Sequence, residues 1–92
     1  MNYFYVYILK CVDESYYVGH TDNLEKRLSE HQQGLISGYT CQKLPVELVY
    51  HDTFGTRDEA FHAERKIKGW NRKKKDALIN KDWRLLKILS NL

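Results

Sequence analysis

The chain has 92 residues and a net charge of +3, enough for one compact domain and too short for two. Its two cysteines, Cys11 and Cys41, cannot build a disulfide framework or a zinc motif, which excludes the disulfide-rich secreted class. No apolar run approaches a membrane span and no leader precedes the first element, so the expected setting is the cytoplasm, with no membrane and no disulfide-linked partner.

In chain order, residues 3–12 read as a strand. Phe4, Val6 and Ile8 point to one face and Tyr3, Tyr5, Tyr7 and Leu9 to the other. Both faces are apolar or aromatic, which predicts a central position in a sheet. Asp13-Glu14-Ser15 is a polar turn, and Tyr16-Tyr17-Val18 resumes strand character, giving a β-hairpin. With a three-residue loop, Val12 pairs with Tyr16 and Tyr7 with Thr21. Tyr7, Tyr17, Gly19 and Thr21 then share one face, whereas a slip of one residue would separate the two tyrosines.

After Gly19, Thr21 or Asp22 can cap a helix, with Glu25 completing a capping box on Asp22. This helix runs to about Gln33, and Gly34 stops it. Leu24, Leu28 and His31 form its inward stripe, and Arg27 lies one turn before His31. Residues 34–45, punctuated by Gly34, Gly38 and Pro45, read as a loop with at most a helical turn. Val46 to Thr53 is a third strand, with Val46, Leu48 and Tyr50 on one face and Glu47, Val49 and His51 on the other.

Thr56 and Glu59 form a capping box that opens a helix over about residues 57–70. Its inner stripe is Ala60, Ala63, Glu64 and Ile67, with Phe61 beside it, so the acid at Glu64 is the anomaly. Trp70-Asn71 makes a break, and residues 72–80 form a short helix with a basic first turn. That turn opposes the helix dipole, which points to another use for its cations. Trp83, Leu85, Leu86, Ile88 and Leu89 form a last apolar helix over 82–92, expected to fold back on the core. The expected fold class is α+β, a small three-stranded antiparallel sheet flanked by helices, in a single domain spanning 1–92.

Four groups stand out by position: the paired tyrosines, Arg27 with His31, Glu64, and the basic run from Arg65 to Lys75. Phosphodiester hydrolysis requires parts of these kinds: a base for water, a cation or metal for the developing charge, a carboxylate for that metal, and basic residues for the backbone. Each also has a plainer use. The tyrosines can be core rings, Glu64 can pair with Lys68 one turn on, and the basic run can be a solvated helix face.

Tyr5-Val6-Tyr7 and Tyr17-Val18-Gly19, followed in order by Arg27, His31 and Glu64, resemble the GIY-YIG nuclease superfamily. The resemblance covers residues 3 to about 80. It is nearest to the small stand-alone bacterial branch, through Pro45 to Tyr50 and through Ile67-Lys68-Gly69-Trp70 to Lys74. It implies a divalent-metal-dependent nuclease acting on nucleic acid, with DNA as the substrate, and Mg²⁺ or Mn²⁺ as the cofactor. In that reading Tyr7 is the general base or water-orienting phenol, Tyr17 lines the same pocket, and Arg27 contacts the scissile phosphate. His31 supports the tyrosines or moves a proton, and Glu64 binds the ion. Lys68, Arg72, Lys73 and Lys74 would face the nucleic-acid backbone, and His20, which stands where some relatives have lysine or a small residue, is a further phosphate ligand. Tyr5 replaces the first glycine of the usual motif. The competing reading of the same scaffold is a nucleic-acid-binding module without catalysis. Tyr7, Tyr17, Arg27 and Glu64 together favour the enzyme, since a pure binder needs none of them in particular.

Overall fold

A computed structural model describes residues 3–36, 38, 40 and 42–91. Three strands and four helices follow one another as β1 (Phe4–Lys10), β2 (Tyr16–Thr21), α1 (Leu24–Gln32), β3 (Glu47–Phe54), α2 (Arg57–Lys68), α3 (Arg72–Ile79) and α4 (Trp83–Ser90). The sheet has the order β2-β1-β3 and both pairings are antiparallel, so the doubly apolar strand is indeed the central one. Val6, Tyr7, Ile8 and Leu9 are all buried in consequence.

The side-chain alternation of β1 divides the core in two. Val6, Ile8 and Val18 lie on one face with Ile67 of α2 and Leu78 of α3. Tyr7, Leu9, Cys11 and Val46 lie on the other, where Leu24 and Leu28 of α1 pack against them. A three-stranded sheet thus carries α1 on one side and α2 and α3 on the other.

The hairpin keeps the expected faces but not the expected pairs. Tyr7 stands opposite Gly19 rather than Thr21, and Lys10 rather than Val12 stands opposite Tyr16. The loop is longer because Cys11 N–H donates to Ser15 O (2.8 Å) and Glu14 N–H to Cys11 O (2.9 Å), which closes the turn two residues earlier. Val12 N–H turns away to Lys43 O, and Glu14 takes a left-handed φ of 69°. A shift of two residues preserves side-chain parity, so Tyr7 and Tyr17 still share a face.

The faces of β3 also differ from simple alternation. A bulge opposite Ile8 and Leu9 puts Leu48 with the Tyr7 cluster, while Val49 and Tyr50 both pack against the Val6 cluster. One extra residue in a strand reverses the side-chain phase beyond it. Leu48 and Tyr50 therefore do not share the face that period two assigns them.

Helix α1 is capped by Asn23, whose side chain accepts from Lys26 N–H at 3.1 Å, not by Thr21 or Asp22. Thr21 is instead buried, and its hydroxyl oxygen accepts from Asn23 N–H at 3.1 Å. Thr56 caps α2 as expected, accepting from Glu59 N–H at 3.2 Å. Helix α4 sends Leu86 to the Val6 cluster, but it has no buried residue, and Trp83 and Ile88 stay exposed. Among the described residues no helix is long and apolar enough to cross a membrane.

Candidate active site

The site grows from the central strand and the edge strand beside it. Tyr7 crosses from β1 over the backbone of Gly19 on β2. A Cβ on Gly19 would stand 2.5 Å from the Tyr7 hydroxyl and 2.6 Å from Cζ, so only glycine leaves room for that ring. Its hydroxyl is 2.9 Å from His31 Nε2, and His31 Nδ1 is 2.8 Å from Thr40 Oγ1. The Tyr17 ring meets His31 edge-on at 5.0 Å and lies 6.3 Å from Tyr7. Tyr7, His31 and Thr40 are at most 1% exposed, whereas Tyr17 is only half-buried. Tyr17 is thus the phenol that faces solvent, and Tyr7 stands behind it.

Burial pushes the Tyr7 phenol above the ordinary tyrosine range, and the charge and hydroxyl of Tyr17 and the Glu64 carboxylate push the same way, against Arg27. Desolvation thus outweighs the Arg27 charge at the Tyr7 hydroxyl. Burial also lowers His31, with Arg27 adding to the effect. His31 is then a neutral imidazole with one donor and one acceptor nitrogen, and the hydroxyls of Tyr7 and Thr40 satisfy both.

This has a measurable consequence. The unfolded imidazole titrates near 6.5 and the folded one lower. Below 6.5 the unfolded chain takes up the proton more readily, so stability is fully present above about pH 6.5 and is lost as pH falls from there through the folded value. Urea titrations should show the unfolding free energy contributed by this site falling on acidification, and His31→Asn should flatten that dependence. An unchanged slope in His31→Asn would mean that His31 is not held neutral.

Arg27 reaches the site from α1. It pairs with Glu30 at 3.5 Å, and its charge is felt by both Tyr7 and His31. Glu64 comes from α2. It is buried, with Oε1 3.0 Å from His20 Nδ1 and Oε2 3.4 Å from Lys68 Nζ. His20 follows Gly19, so it projects on the α2 side of β2, opposite Tyr7 and Tyr17. The structure therefore does not bring all four groups to one face: the carboxylate meets β2 from the α2 side with His20, and the two phenols meet it from the α1 side. A cleft on α2 is lined by Phe61, Glu64, Arg65 and Lys68.

The basic residues divide. Lys68 is held to Glu64, and Lys73 is exposed. The Arg72 guanidinium lies 4.0 Å from the Tyr16 ring centre and donates to Glu14 O, while Tyr16 O–H donates to Asp76. Lys74 Nζ lies 4.4 Å from the Trp70 ring centre. Of the cations in the first turn of α3, Arg72 pins the hairpin loop to α3 and Lys74 packs on Trp70.

Thr40 was not legible as a site residue. It lies in the irregular stretch after Gly34, where no periodicity marks a residue as inward. The His20–Glu64 contact was equally silent, because 44 residues separate the two.

Among the described residues no three or more His, Cys, Asp or Glu side chains group to hold a metal. A single buried carboxylate still fits a hard divalent ion, which commonly takes one or two protein carboxylates and fills its other positions with water and phosphate oxygen.

A hairpin bearing two phenols, an imidazole and a guanidinium behind them, and a carboxylate on the other face of the same strand define a GIY-YIG-type α+β domain. The GIY-YIG catalytic domain family matches residues 3–77, and the chain belongs to that family. It is 49% identical over 75 residues to a UPF0213 protein of Bacillus pumilus, a match covering 82% of this chain and 76% of that one. Two solution NMR structures are similar. The protein EF2693 of E. faecalis has a TM-score of 0.60 at 38% identity, covering 90% of this chain and 88% of that one. The UPF0213 protein BH0048 of Bacillus halodurans has a TM-score of 0.56 at 36% identity, covering 85% and 83%.

Proposed function

We propose that this chain, acting as a single domain, is a divalent-metal-dependent nuclease that hydrolyses phosphodiester bonds in DNA. The observation that supports the reading best is the line Tyr17, Tyr7, His31, Thr40, which runs from solvent into the core, with Arg27 on the same helix as His31 and Glu64 on the other face of β2. A line of this kind is more than packing requires, since it spends three buried polar groups where apolar ones would serve.

Tyr17 receives the proton of the attacking water as the oxygen closes on phosphorus. Tyr17 passes its own proton to Tyr7, and Tyr7 passes its own to His31 Nε2. Neither phenol has to persist as phenolate, which suits the raised Tyr7. Neutral His31 has a lone pair to receive that proton once its N–H is on Nδ1 and donated to Thr40. Arg27 stabilises the charge that builds on the phosphoryl oxygens, and the leaving oxygen takes a proton from solvent. Glu64 would hold Mg²⁺ or Mn²⁺, which supplies charge neutralisation at the phosphate. Lys68 and Lys73 contact the nucleic-acid backbone, and Arg72 and Lys74 add to the local positive field.

The test is cleavage of branched, single-stranded and duplex DNA with Mg²⁺ or Mn²⁺. Wild type should cleave at least one of them. Tyr17→Phe and Tyr7→Phe should each lose roughly a hundredfold or more, the usual contribution of a positioned proton-transfer group. Salt-sensitive binding with no cleavage of any substrate would instead make the chain a nucleic-acid-binding module.

A further inference from the structure

We propose that His20 is a second protein ligand of the ion held by Glu64, and that the pair selects a later first-row transition ion such as Co²⁺ over Mg²⁺. The inference rests on the metal-binding role proposed for Glu64, and it adds to that role both a residue and an ion class.

The placement follows from the fold. Gly19 must face Tyr7, so strand alternation sends the next side chain, His20, to the α2 face. There α2 presents Glu64 between the buried Ala60 and Ile67. His20 Nδ1 lies 3.0 Å from Glu64 Oε1. Two donors each about 2.1 Å from one octahedral ion, at a right angle, stand about 3.0 Å apart. An ion beside the line joining the two atoms is therefore within reach of both without backbone movement.

Two neighbours fix the arrangement. The Phe61 ring packs edge-on against His20 at 5.7 Å and is itself covered by the Arg65 guanidinium at 5.6 Å. This holds the imidazole in one orientation. Lys68 takes Oε2 at 3.4 Å, which leaves Oε1 as the oxygen on the His20 side. His20 is about a quarter exposed, so water and a phosphate oxygen can complete the coordination. The cleft beside the pair, lined by Phe61, Glu64, Arg65 and Lys68, provides the entry. Imidazole nitrogen is a poor partner for Mg²⁺, which prefers all-oxygen surroundings, and a good one for Co²⁺ and its neighbours. A site of two carboxylates would have no such preference.

The probe is Co²⁺ alone, added to the metal-free protein and followed by equilibrium dialysis and proton NMR. Wild type should show a hyperfine-shifted imidazole N–H signal that is absent from His20→Ala. His20→Ala should bind Co²⁺ at least about tenfold more weakly, since even indirect partners of metal ligands are commonly worth that much, while Mg²⁺ affinity changes by no more than about twofold. His20→Asn keeps a hydrogen bond to Glu64 without the imidazole and should show the same loss, which separates ligation from folding. Wild type that binds no Co²⁺, an absent imidazole signal, or Co²⁺ binding by His20→Asn equal to wild type would each overturn the inference. Failure of wild type to cleave DNA with the Co²⁺ results intact would overturn only the proposed activity.

Discussion

Glu64→Ala should reduce DNA cleavage by at least about a thousandfold while leaving the protein folded. The rate effect follows from the task assigned to the carboxylate. Without it the ion that neutralises the phosphate is lost, and metal and oxyanion stabilisation commonly supply about 4 kcal/mol of a barrier, or three powers of ten. The fold should tolerate the change for a different reason. Glu64 is buried on a helix between alanine and isoleucine, where His20 and Lys68 are its partners among the described residues. Both of those partners reach water, so neither is left buried and unpaired. Glu64→Gln keeps the shape and a hydrogen bond to His20, and it should be nearly as inactive because the charge is gone. The measurements are single-turnover cleavage with Mn²⁺ and a thermal melt. Cleavage by Glu64→Ala at the wild-type rate would remove the metal assignment.

The second large effect is on stability. Gly19→Ala should destabilise the protein by about 1–3 kcal/mol, the usual cost of overpacking, and lower the melting temperature by roughly 4–8 °C per kcal/mol. The added methyl would lie 2.5 Å from the Tyr7 hydroxyl, 2.6 Å from its Cζ and 3.1 Å from Tyr17 Cε1. Tyr7 is held by β1 below, by His31 at its tip and by a closed core around it, so the ring cannot swing aside cheaply. Displacing it would also break the Tyr7–His31 contact, so cleavage should fall with stability. The clash itself is tested by the double variant. Tyr7→Leu removes the ring that the methyl strikes, so Gly19→Ala should cost much less in that background than in wild type. Equal costs in the two backgrounds, or a wild-type melt for Gly19→Ala alone, would show that the close approach is not what requires glycine.

Local order was largely legible in the chain itself. The doubly apolar β1 announced its central place, because a strand with no polar face has nowhere else to go. Thr56 with Glu59 marked the start of α2 because a cap is a local hydrogen bond. At α1 the local rule chose wrongly: Asn23, rather than Thr21 or Asp22, is the cap, and Thr21 is buried in the sheet and bonded to Asn23 itself. Register was legible only in parity. The hydrophobic pattern repeats every two residues and cannot distinguish Tyr7 opposite Gly19 from Tyr7 opposite Thr21, whereas the turn hydrogen bonds can. The bulge that parts Leu48 from Tyr50 left no mark at all, since both residues are apolar and suit either face.

The two aromatic tripeptides, with Arg27, His31 and Glu64 in order behind them, were enough to place the chain in its family and to nominate the groups proposed for the chemistry. Their arrangement was decided by tertiary structure. Which phenol faces water and which is buried depends on how α1 covers the sheet, and it makes Tyr17 the outer group and Tyr7 the inner one. Thr40 became the partner of His31 through a loop without periodicity, and His20 met Glu64 across 44 residues. Sequence determines what lies on one strand or one helix turn, where spacing is fixed by the backbone. Contacts between elements depend on how whole faces pack, and that is set by the sum of the core rather than by any residue in the pair.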